Sequence, residues 1–230
     1  MEKLRDVWIR LRWVSSDPDK QVLLFGDEFT FYRQPSLSYD YERAGKTQPL
    51  AELGYRTNLS WRIAGALNAW TGQVIYAQHS HFTLKLLVDF YLQVALAYPQ
   101  AEVIYLVVDN WPLHFHPDVL AALADPSVAW PLKRPASWSD APSKRARHLD
   151  LPIRLVPLPT YAPWNNPIEK LWRLLKSQVL HQHRFADDWD GLKQRVSQEL
   201  DKYVQPSPDL LRYVGLQDPL QLYHAHFQEF

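Results

Sequence analysis

The spacing of hydrophobic and polar positions changes period several times along this chain, and the changes outline an α/β protein. Residues 2–14 place Leu4, Val7, Trp8 and Leu11 at helical spacing, which predicts an opening helix. The turn-forming SSDPDK follows, then the apolar run 21–25. That run predicts a buried strand ending at Gly26 and delivering Asp27 at its C-terminal edge. Residues 29–49 are aromatic but show no clear period. WRIAGALNAW and GQVIYAQ, divided at Thr71-Gly72, predict two strands joined by a turn. Leu84, Leu87, Val88, Tyr91, Val94 and Ala95 share one side of a helix over 83–98 that Pro99 stops. EVIYLVV predicts a second buried strand ending in Asp109-Asn110, with a short helix from 118 to 124 beyond it. Residues 153–158 form another strand candidate. It leads through a Pro-rich turn into a helix with Asn166 as its cap and Pro167 in its first turn. Ile168, Leu171, Leu175 and Val179 form the core-facing stripe of that helix, and Glu169, Trp172, Arg173 and Lys176 the stripe beside it. A last helix is expected over 189–203.

Composition narrows the class. The 230 residues are 47% hydrophobic and 13% aromatic, enough for a folded domain with a sizeable core. No apolar run reaches membrane-spanning length and the charged N-terminal stretch is not a signal peptide, so a cytoplasmic protein is expected. The absence of cysteine removes disulfides and thiolate metal sites and leaves carboxylate, carbonyl and imidazole as metal ligands. Zero net charge argues against nonspecific coating of nucleic acid. Locally the balance differs: 133–184 holds ten Lys/Arg against three Asp/Glu, and 185–230 holds four against eight. A basic half-face of this kind suits a polyanion, with scattered surface charge as the alternative. Residues 125–150 are irregular and rich in Pro, Trp and basic residues, and read as an insertion.

Two strands end in an aspartate, and a later helix offers Glu169 in its first turn. Three hard oxygen ligands of this kind suit one or two Mg2+ or Mn2+ ions and in-line phosphoryl transfer. An aspartate that merely caps the next turn is the plainer reading of Asp27. Glu28 is either a fourth ligand or, more readily, a hydrogen-bonded partner of the next loop. His114 and His116 have a spacing that zinc accepts, but no third imidazole or thiolate lies near them.

Asp27-Glu28 after an apolar strand, VDNWPLH at 108–114 and LPTYAPWNNPIEKLWRLLK at 158–176 occur in that order. Together they resemble the DDE-type transposases of bacterial insertion sequences, in the mariner superfamily, over residues 22–180. The resemblance implies a ribonuclease-H-like mixed sheet flanked by helices, with the 125–150 insertion before the last core strand. It implies a helical lead-in at 1–20, a catalytic domain at 21–185 and a C-terminal helical extension at 186–230. Asp27, Asp109 and Glu169 would be the catalytic, metal-binding triad for two Mg2+ (or Mn2+) ions, with Asp27 bridging both and Asn110 and His114 supporting. The implied reaction hydrolyses a DNA phosphodiester to free a 3′-hydroxyl, which then attacks target DNA. Trp172 would stack on a DNA base or pack internally. Arg173 and Lys176 would meet phosphates or surface acids, and Lys144, Arg145 and Arg147 would grip flanking DNA or simply form a flexible basic loop.

Family likeness also suggests a homodimer, associated with the nucleoid when active, that binds mobile-element ends and target DNA. Three departures stand out. The second and third acids are 60 residues apart, wider than the family's usual spacing, and the insertion accounts for the excess. The family's N-terminal helix-turn-helix modules are not seen, so recognition of element ends would fall to a separate chain or to a missing N-terminal region. Ala162 and Asn165 stand where the family often has Ser and Leu. Two other functions fit the same pattern: a catalytically silent transposase-derived DNA- or protein-binding domain, and a nuclease of the same fold that cuts without joining.

Overall fold

Strand β1 (Gln21–Tyr32) divides the interior in two, because its side chains alternate between the faces of a sheet. Leu23, Phe25, Phe29 and Phe31 enter one core and Val22 and Leu24 the other. The computed structural model describes residues 2–38, 51–128, 130, 132–160 and 166–218. Around β1 are β2 (Ser60–Asn68), β3 (Val74–His79), β4 (Val103–Val108) and β5 (Ile153–Pro157), in the sheet order β3-β2-β1-β4-β5. The β3-β2-β1 part is antiparallel and β1-β4-β5 is parallel. This is the mixed sheet flanked by helices that the sequence predicts.

The first core receives α1 (Glu2–Ser16), α4 (Ile168–Leu175), α5 (Trp189–Leu200) and α6 (Pro208–Val214). Val7 and Leu11 of α1, Leu192 and Val196 of α5, and Leu210 of α6 join one apolar cluster with the sheet. The first and last described helices, α1 and α6, are therefore packed into the same core as the middle of the chain. The second core is covered by α2 (Leu84–Ala97) and the short α3 (Pro117–Leu120). Thr83 caps α2 by accepting from the Leu86 amide at 3.2 Å. Among the described residues no helix is long and apolar enough to cross a membrane.

β1 differs from expectation in length. Its parallel pairing with β4 stops at Phe25↔Val107, but its antiparallel pairing with β2 continues to Tyr32↔Ser60. Asp27 thus lies within the strand, opposite Gly65, rather than at its end. The start of the region expected to be irregular is the rest of this strand. Asn166 does not cap α4; Pro167 precedes the helix without a side-chain cap. The expected 189–203 helix closes as a short 3-10 turn at Asp201–Tyr203, and α6 was not foreseen.

The insertion is irregular, as expected, but anchored. Trp130 and Trp138 pack on Phe115 at 4.8 and 6.1 Å, and Trp138 meets His116 edge-on at 4.5 Å. Both the amide and the hydroxyl of Ser143 donate to Asp118, at 2.6 and 2.7 Å.

Candidate active site

Three elements meet at the point where β1 and β4 separate. Register places Phe25 beside Val107, so Asp27 and Asp109, each two residues further along, leave neighbouring strands at the same level. The helix α4 is fixed there by Asn166, whose side-chain amide donates to the Gly26 carbonyl at 3.0 Å. Asn166 is itself buried, and its carbonyl accepts from the Glu169 amide at 3.1 Å. One turn along, the Trp172 indole N–H donates to Asp27 Oδ2 at 2.9 Å. Glu169 thus belongs to the turn that faces Asp27.

Electrostatics record the same gathering. Burial, then the like charges of Glu28 and Glu169 and more weakly that of Asp109, push the Asp27 carboxyl up to about 8, against the opposing pull of the Trp172 bond. Residues separated by as much as 142 positions in sequence therefore act on one carboxylate. A set of acids so crowded that one holds a proton near neutrality is suited to a divalent cation, which would compensate the charge.

Asp109 has different company. Its Oδ1 accepts from the Trp111 amide at 2.8 Å and lies 3.7 Å from His114 Nε2. Burial pulls the carboxyl upward, but His114 and the Trp111 amide outweigh it and hold Asp109 below the usual carboxylate range. His114 is fully enclosed, with Nδ1 2.7 Å from the Tyr91 hydroxyl and Nε2 3.6 Å from Glu28 Oε1. Burial alone would lower its pKa; Glu28 and Asp109 reverse this and raise it to about 9. Glu28, Asp109 and His114 are a group of potential ligand atoms within 4.8 Å of one another. The imidazole is best described as the charge partner of the two acids. Glu28 lies beside His114 on the α2 side of the sheet rather than bonding to the loop that follows β1, which corrects the partner expected for it. Asn110 donates to the Leu158 carbonyl at 3.1 Å and so ties the end of β4 to the exit from β5, a supporting position.

The other expected site residues separate into groups. Trp172 is 1% exposed and stacked on Phe29 at 5.5 Å, so it is not available to stack on DNA. Of the two roles read for it, internal packing is the observed one. Arg173 and Lys176 are exposed on α4, with Lys176 Nζ 5.1 Å from the Phe29 ring. Lys144 and Arg145 are exposed in the insertion, whereas Arg147 is bound to Asp89 of α2. This pairing ties the insertion to α2. His116 faces Trp138, and its Nδ1 accepts from the Asp118 amide at 3.1 Å, so it does not join His114 in a zinc pair. Residues 161–165 of the motif, with Ala162 and Asn165, lie outside the described residues. Tyr91 and Gly65 were missed. The helical stripe did mark Tyr91 as inward-facing, but no local signal assigns its hydroxyl to His114.

Comparison with known proteins gives the class. A profile of the DDE superfamily endonucleases matches residues 22–193, and the chain belongs to that family. It is similar to the 39 kDa protein of insertion element IS630 from Shigella sonnei, 23% identical over 171 residues, or 74% of this chain and 42% of that protein. Its fold is similar to that of the Mos1 mariner paired-end complex with Mn, at TM-score 0.57 and 14% identity, covering 96% of this chain and 59% of that one. The Mos1 strand transfer complex gives TM-score 0.56 at 13% identity, covering 97% and 59%. The chain thus spans less than two thirds of the length of these relatives.

Proposed function

We propose that this chain is the catalytic domain of a DDE transposase, acting on mobile-element ends and target DNA. The observation that carries the reading is the convergence on Asp27: Glu169 of α4 and Asp109 beyond β4 join Glu28 beside it, and burial, then these like charges, raise its carboxyl to about 8. In this reading Asp27, Asp109 and Glu169 would hold the divalent cations, Mg2+ or Mn2+, that the reaction needs. Bound there, such ions would activate a water or hydroxyl and stabilise the oxygen that leaves phosphorus.

The chain's own residues do the rest. His114 keeps Asp109 ionised and turned to a fixed position, and Asn166 and Trp172 hold the Glu169 turn against β1. Arg173 and Lys176, exposed next to Glu169, bind the phosphates flanking the cleaved bond. Lys144 and Arg145 hold DNA further out. Water attacks the phosphodiester and a 3′-hydroxyl departs. That hydroxyl then attacks a target phosphodiester and displaces the target strand's own 3′-hydroxyl, so one phosphodiester replaces another and no covalent bond to the protein is needed. A homodimer, with element ends recognised by a further N-terminal region or a separate chain, completes the proposal. The ribonuclease-H-like catalytic unit is placed at 21–185.

The test is a nicking and strand-transfer assay on plasmid DNA with Mg2+ or Mn2+, comparing wild type with Asp109→Ala and Glu169→Ala. Metal-dependent nicking lost in both variants supports the triad, and joined products support transposition. Nicks without joining would assign a simple nuclease. A wild type that binds DNA without cutting it, even with the end-recognition chain supplied, would assign a silent binding domain.

A further inference from the structure

Asp27 faces a difficulty the other acids do not. It must present a carboxylate to a cation from a half-buried position among three like charges, and among the described residues no basic side chain pairs with it. A Lys or Arg beside it would steady the carboxylate but would also repel the cation. The Trp172 indole supplies the alternative: a donor with no charge and no acceptor capacity. Its N–H engages Oδ2 at 2.9 Å and leaves Oδ1 free of that bond.

The indole is held as firmly as the acid. Trp172 is 1% exposed and stacked on Phe29 with 14° between the rings. Phe29 follows Asp27 by two residues on the same face of β1, so acid and aromatic platform share one strand. Across the sheet, the register partner of Asp27 is Gly65. A Cβ at Gly65 would lie 2.6 Å from Trp172 Cη2 and 2.9 Å from Cζ2, distances that no side chain tolerates. The glycine therefore leaves the space that brings the indole N–H to its neighbour's carboxylate.

We propose that Trp172 is a positioning residue for the metal-binding function of Asp27, and that Gly65 is the gap in β2 that seats it. The role rests on Asp27 being a metal-binding acid. Its effect is on affinity for the ion: a freed Asp27 carboxylate rotates away from its crowded neighbours and must be recovered on each binding event. A charge-assisted hydrogen bond of this kind corresponds to roughly a tenfold change in affinity.

The test measures Mn2+ binding by calorimetry on wild type, Trp172→Phe, Gly65→Ala and Asp27→Ala, with thermal melting of each alongside. The indole N–H signals are recorded by 1H–15N NMR, with the Trp172 signal identified by its absence in Trp172→Phe. We expect about tenfold weaker Mn2+ binding in folded Trp172→Phe and in Gly65→Ala. We also expect the Trp172 indole signal to move in both Gly65→Ala and Asp27→Ala. A role in packing alone would lower the melting temperature and leave Mn2+ affinity of the folded protein at the wild-type value, which would overturn the proposal. An indole signal unmoved in Asp27→Ala would overturn it independently of any metal, even where Gly65→Ala fails to fold. Unchanged Mn2+ binding in Asp27→Ala itself would overturn the metal reading of that acid, and this role with it.

Discussion

Asp27 and Asp109 sit at the same level on adjacent strands, yet the protein treats them in opposite ways. Asp109 has a buried imidazole and a backbone amide for company and is held below the usual carboxylate range. Asp27 has an uncharged indole and three acidic neighbours, and is raised to about 8. The first is biased toward its ionised form by His114 and the Trp111 amide. The second keeps its proton until something positive arrives. In the proposed metal-binding role, a cation at Asp27 would replace a proton near neutral pH, so ion affinity at this acid should be coupled to pH.

The largest effect that would break this comparison is loss of activity. Asp27→Ala, Asp109→Ala and Glu169→Ala should each abolish metal-dependent nicking; a variant that still nicks removes its acid from the site. Next is His114→Ala, which leaves Glu28 and Asp109 facing each other without their shared partner. Breaking a buried pair of this type costs about 3 kcal/mol, measurable by denaturant unfolding. The cost is tied to pH with a definite sign. His114 rises from 6.5 to about 9 on folding, so its contribution is complete below pH 6.5 and is lost as pH rises through 9. Wild type and variant should therefore converge at alkaline pH.

The Asp27 side gives a second slope, over a wider pH window. Its carboxyl is raised from 3.8 to about 8, so the folded state holds a proton that the unfolded chain has released. Metal-free protein should lose stability as pH climbs between those values, and Asp27→Asn should flatten the melting-temperature profile there. An identical profile in the variant would mean that the acids do not crowd Asp27. Tyr91→Phe removes only the hydroxyl that holds His114 Nδ1 and should cost about 1 kcal/mol. Least of all should be the change at Lys144→Ala or Arg145→Ala. Each should reduce the salt slope of DNA affinity by about 0.9 with melting unchanged.

Much of this architecture was legible because its signals are local. The apolar runs 21–25 and EVIYLVV marked β1 and β4 as buried strands that lead to Asp27 and Asp109. The stripe of Ile168, Leu171 and Leu175 gave α4 its buried side correctly. What the residue pattern lost was decided across the sheet. Trp172 looked like part of an exposed stripe because nothing near it in sequence reveals the space at Gly65. Asn166 looked like a cap, but its side chain is spent on the Gly26 carbonyl, 140 positions away. β1 was cut short because its polar centre, Gly26 to Glu28, reads as a turn until β2 is there to pair with it.

The bond between Trp172 and Asp27 spans 145 positions. At ribosomal speeds that interval is on the order of ten seconds. Both strand aspartates are made, and β1 and β4 can pair, well before the glutamate and the indole emerge. A nascent chain that stops short of Trp172 is thus a scaffold with an unfinished centre.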